Sequence, residues 1–112
     1  MSLRKQLYHY KKKRWPKAII LCYHRIGNYK SDTVDITVAE NNFINHIQWL
    51  NKNYNIISLS KIAECLIARK HLPKDSIVIT FDDGYQSYHS TIDYLNKNEI
   101  PATFFICNPT FN

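Results

Sequence analysis

The sequence predicts an α/β fold of about four parallel strands joined by crossover helices, and three observations carry that expectation. Short runs rich in β-branched and aromatic residues alternate with stretches whose apolar residues recur at helical spacing. The run over residues 77–81 is continuously apolar or β-branched, as in a strand buried on both faces of a parallel sheet, and it stops at Asp82, Asp83 and Gly84. Roughly twenty residues, 82–101, then separate it from the next apolar run, enough for one crossover helix. Such crossovers are right-handed, and they set the strands parallel.

Each element has its own signal. Residues 18–23 form the first strand, which ends at His24, with Gly27 in the turn beyond it. Thr37 and Glu40 stand at capping-box spacing, and Phe43, Ile47, Leu50 and Tyr54 follow at helical intervals, so this helix covers one face of the sheet. Residues 56–58 are a short second strand. Ser60 is placed to cap a helix running to about Ala68, with Ile62, Cys65 and Leu66 on its apolar face. It stops before the Arg69, Lys70, His71 cluster and Pro73. Residues 77–81 are the third strand, and Tyr85, Tyr88, Ile92 and Leu95 trace the stripe of the next helix. Pro101 precedes a fourth strand over residues 102–106.

Length and composition bound the class. With 112 residues the chain suits a single domain, and two glycines with four prolines leave little room for flexible linkers. Charge divides the chain: nine of its fifteen Lys and Arg residues precede Asp32, the first acidic residue. From Asp32 onward six basic residues face nine acidic ones, so the net charge of +6 belongs to the N-terminal third. Residues 1–17 are therefore read as a basic segment and residues 18–112 as the domain. A basic segment with Tyr8, Tyr10 and Trp15 suits an anionic membrane surface, although a solvated leader is the expectation; nothing resembles a nucleic-acid-binding fold. The charged start is not followed by an apolar h-region and no run reaches transmembrane length, which gives a cytoplasmic expectation. Cys22, Cys65 and Cys107 lack CxxC spacing and read as buried free thiols.

The carboxyl ends of parallel strands are where α/β proteins collect ligands and catalytic side chains, which makes the position of Asp82 and Asp83 informative. Consecutive like charges repel, and a divalent cation, a shared proton or water is needed to tolerate them. Adjacent side chains on an extended strand point oppositely, so one carboxylate can meet a metal while the other faces water or substrate. Gly84 gives the backbone freedom to turn there. The competing reading is a solvated turn with Asp83 as the N-cap of the following helix.

The stretch ITFDDGY, followed by IPATFFI, together with LCYHRIG and FINHIQWLNKNYNIISLSKI in the same order, resembles the N-terminal half of a polysaccharide deacetylase domain, the NodB-homology group or carbohydrate esterase family four. The resemblance runs from about Ala18 to the end of the chain. It implies a distorted β/α barrel, of which this chain would be the N-terminal part, since such barrels take about 200 residues or more. It also implies that Asp82 is the general base and Asp83 a ligand to a divalent metal, usually zinc. The two histidines that complete the metal site in relatives, in a His-Ser/Thr-x-x-His motif, are absent from these 112 residues, as are an assignable general acid and orienting arginine. His24, at the end of a predicted strand, is the histidine best placed to help, with a packing role as the blander expectation; for His9, His46, His71 and His89 surface or packing roles are expected.

The function expected is removal of N-acetyl groups from an amino-sugar glycan by a metal-dependent hydrolase, or by a truncated part of one. The alternatives are a catalytically inactive fragment or carbohydrate-binding remnant, and a different metal-dependent hydrolase, such as a phosphoesterase, using the same Asp pair. An exposed apolar edge in residues 101–106 adds the expectation of self-association.

Overall fold

In the computed structural model, residues 2–11, 18–28, 36–82 and 88–106 are described. Helix α1 (Leu3–Lys11) is followed by β1 (Ala18–Tyr23), β2 (Arg25–Ile26), β3 (Thr37–Val38), α2 (Glu40–Asn53), β4 (Asn55–Ile56), α3 (Leu59–Ile67), β5 (Ser76–Phe81), α4 (Tyr88–Lys97) and β6 (Thr103–Phe104). Strand β5 is the centre. It pairs in parallel with β1 over all six residues, from Ala18 opposite Ser76 to Tyr23 opposite Phe81. Its other edge is shared, because β4 pairs with Ser76 and Ile77, and β6 with Thr80 and Phe81. The carbonyls of Ile77 and Phe81 point to that edge and accept from the amides of Ile57 and Phe105 at 2.9 and 2.8 Å. The predicted parallel α/β arrangement of four strands is what forms.

Every residue of β5 is buried. Ile77, Ile79 and Phe81 alternate into the main core with Leu7 of α1, Phe43, Ile47 and Leu50 of α2, and Leu95 of α4. Ser76, Val78 and Thr80, of opposite parity, are buried as well. Burying hydroxyls there requires partners. Thr80 Oγ1 donates to the carbonyl of Leu21 at 2.8 Å, and Ser76 Oγ donates to that of Pro73. An aromatic stack marks the carboxyl end of the sheet: the Phe81 ring lies 4.4 Å from Phe104 and 5.5 Å from Tyr23, which meets Phe43 edge-on at 5.1 Å.

Several sequence expectations need correction. Thr37 does not form a capping box with Glu40; it lies in β3, which pairs with β2 as a small separate parallel sheet, and α2 starts after Ala39 without a side-chain cap. Ser58, and not Ser60, caps α3, its Oγ accepting from Lys61 N–H at 3.0 Å. Leu66 is 65% exposed, so the buried face of α3 is carried by Ile62 and Cys65. The fourth strand is shorter than predicted, with Phe105 and Ile106 exposed. The basic segment is not simply a solvated leader, since Leu3–Lys11 is helical and Leu7 enters the core. Arg4 lies over Trp49 of α2 at 5.3 Å from the ring centre. No helix among the described residues is long and apolar enough to cross a membrane.

Helices α3 and α4 end alike. Arg69 and Glu99 take left-handed backbone (φ 51° and 55°), and the next amides, Lys70 and Ile100, return to the carbonyls of Cys65 and Leu95, each at 2.9 Å. This six-to-one closure satisfies terminal carbonyls and turns the chain.

Candidate active site

The β1–β5 register builds the site. Because Tyr23 stands opposite Phe81, the next step of the ladder sets His24 beside Asp82, and the Asp82 amide donates to the Tyr23 carbonyl at 2.9 Å. Residues directly paired across a parallel ladder share a face. Tyr23 and Phe81 therefore turn into the core, while Cys22, His24 and Asp82, of the other parity, collect on the opposite side at the carboxyl rim. The sequence-predicted juxtaposition of His24 and Asp82 on one rim is thus observed. Asp83 and Gly84 lie outside the described residues, as do Tyr85 and Cys107.

The three side chains are mutually close. Cys22 Sγ donates to Asp82 Oδ2 at 3.3 Å and lies 4.0 Å from His24 Nδ1. His24 Nε2 lies 3.6 Å from the same carboxylate oxygen. The His24 and Asp82 side chains are 39% and 38% exposed, so both reach water while resting on a buried strand end. A half-exposed carboxylate held by its backbone in the ladder, with an imidazole and a thiol alongside, can accept a proton from a bound water or engage a cation. Cys22 is the member that sequence reasoning missed. It was expected to be buried, as Cys65 is, yet it is exposed. Parity was the available signal: once the first and third strands pair, Cys22 must share a face with His24 and Asp82.

Behind the rim, Tyr23 Oη lies 3.2 Å from Nδ1 of His46 on α2, and the two rings stack at 6.3 Å. Burial pushes the Tyr23 phenol well above its ordinary range and lowers the His46 imidazole. His46 thus has the packing role expected of it. Tyr54 is raised too, by burial first and then by the charge of Asp75.

A polar cluster at the carboxyl rim of a parallel α/β sheet defines the general class of strand-end active sites. Comparison with known proteins narrows it. Residues 69–112, which include Asp82 and Asp83, match the family model of polysaccharide deacetylases. The chain is 30% identical over 81 residues to the poly-beta-1,6-N-acetyl-D-glucosamine N-deacetylase of Escherichia coli K12, a match covering 70% of this chain and 12% of that protein. Its fold is similar to a de-N-acetylase from Aggregatibacter actinomycetemcomitans, with a TM-score of 0.67, 29% identity, and coverage of 78% of this chain and 36% of the other. It is also similar to IcaB of Ammonifex degensii, with a TM-score of 0.69, 26% identity, and coverage of 80% and 37%. The chain is thus similar, over part of its length, to polysaccharide deacetylases, and it spans well under half of these relatives.

Proposed function

We propose that the chain contributes the base-bearing part of a carbohydrate deacetylase that removes N-acetyl groups from an amino-sugar glycan. The observation that carries this reading is the position of Asp82: a half-exposed carboxylate at the carboxyl end of a fully buried central strand, inside the segment that matches the deacetylase family. The name of the Escherichia coli relative points to an N-acetylglucosamine polymer as the substrate class.

In this reading Asp82 Oδ1 or Oδ2 accepts a proton from the water that attacks the amide carbonyl. The Asp82 N–H donates to the Tyr23 carbonyl and holds the backbone, while the Cys22 thiol donates to Oδ2 and directs the carboxylate. His24, whose Nε2 lies 3.6 Å from the same oxygen, would steady the charge that the base carries before it takes the proton. The implied divalent metal, zinc by preference, would take Asp83 as one ligand and, when bound, polarise the carbonyl. This sequence supplies no His-Ser/Thr-x-x-His pair to complete that site, so proton transfer at Asp82 is the step its own residues carry.

A second reading is a catalytically silent carbohydrate-binding unit. Acetate release from N-acetylglucosamine oligosaccharides separates the two. Release that falls on Asp82→Asn supports the deacetylase; glycan binding without release supports the silent unit.

A further inference from the structure

Cys22, His24 and Asp82 bring together three different metal-ligating groups, a thiol, an imidazole and a carboxylate, with one donor atom from each lying within 4.8 Å of the others. We propose that they form a site for a soft divalent cation such as zinc, distinct from the one that Asp83 would serve. Zinc bound by three protein ligands and an open fourth position has metal–donor distances near 2.0–2.3 Å, which places tetrahedral donors roughly 3.3–3.6 Å apart. The observed 3.3 Å between Cys22 Sγ and Asp82 Oδ2, and 3.6 Å between His24 Nε2 and Asp82 Oδ2, already match that spacing. Sγ lies 4.0 Å from His24 Nδ1. The nitrogen at one side of the ring faces the sulfur and the other faces the carboxylate, and a turn of this partly exposed ring selects which one ligates.

The chemistry of the set points to zinc over magnesium or calcium. Thiolate and imidazole are soft and borderline donors, whereas the hard cations take oxygen. On binding, the Cys22 thiol releases its proton to solvent and the sulfur takes the ion as thiolate. The donors come from rigid places: Cys22 lies in β1, and Asp82 follows β5 with its amide held by the ladder.

Occupancy has a consequence for the activity proposed above. An ion on Asp82 Oδ2 takes up a carboxylate oxygen of the base, so excess zinc would inhibit acetate release. That consequence rests on the base role of Asp82; the site itself does not, and it is tested without activity.

Cobalt, which takes the coordination of zinc and shows thiolate-to-metal charge-transfer absorption in the near ultraviolet, is the probe. The 112-residue chain titrated with cobalt is expected to develop that band, and added zinc to displace it. Cys22→Ser abolishes the band and His24→Ala weakens binding roughly tenfold or more, a loss at least as large as that of an outer-shell partner. Asp83→Asn leaves the band in place. Circular dichroism checks that the variants keep their fold. No charge-transfer band with cobalt in excess, or a band that survives Cys22→Ser, overturns the site.

Discussion

Strands β1 and β5 are each six residues long and pair with one another at every position, yet β5 is buried throughout while β1 alternates, with Ile20 54% exposed and Tyr23 buried. The difference is one of neighbours. Strand β5 has β1 along one edge and β4 and β6 along the other, whereas β1 has no second strand partner among the described residues. A strand flanked on both edges can end in charge only at its rim, which is where Asp82 sits. A strand at an edge can present polar or reactive groups earlier, and β1 does so at Cys22. The site is thus made by a buried strand that supplies rigidity and an edge strand that supplies access.

Truncating the buried strand tests this contrast most severely. Phe81→Ala removes a fully buried ring that touches Tyr23, Phe43 and Phe104, and should cost about 3–5 kcal/mol in denaturant unfolding. Ile20→Thr on β1 should change stability by less than about 0.5 kcal/mol. Comparable losses would erase the distinction between the strands.

Tyr23 is the β1 residue that behaves like one of β5, being buried in the core. Tyr23→Phe keeps the aromatic packing and removes the hydroxyl that meets His46, with an expected loss of about 1 kcal/mol. A loss as large as that of Phe81→Ala would mean that the hydroxyl, and not the ring, anchors β1.

A smaller effect concerns pH. Burial holds the His46 imidazole below its ordinary value of 6.5, so the unfolded chain binds this proton more readily than the folded one. Its contribution to stability is complete above that ordinary value and declines as pH falls through and below it. Thermal unfolding followed from neutral to mildly acidic pH should show the decline, and His46→Gln should flatten it. An unchanged slope in the variant would assign the acid sensitivity to other groups.

The sequence showed the site's frame better than its full membership. The bounds of β1 and the apolar core of β5 are legible because β-branched and aromatic runs have few other uses. His24 and Asp82 could be placed on one rim because each follows such a run. Cys22 was not found, since cysteine is usually buried and its exposure depends on β1 lying at an edge. Thr37 misled because its spacing to Glu40 satisfies a local capping rule, and only the pairing of β3 with β2 overrides it. Ser58 and Ser60 are two residues apart, and because α3 already begins at Leu59, Ser58 is the cap and Ser60 lies within the helix. Leu66 is exposed because the direction in which α3 packs is a tertiary property.

The role proposed for Asp82 is to accept the proton in amide hydrolysis, and the rate of acetate release from N-acetylglucosamine oligosaccharides reports on it. In protein that contains this chain and is active with zinc, Asp82→Asn should lower the rate by about a hundredfold or more, the usual contribution of a general base. Equal rates for the wild type and Asp82→Asn would mean that another group takes the proton.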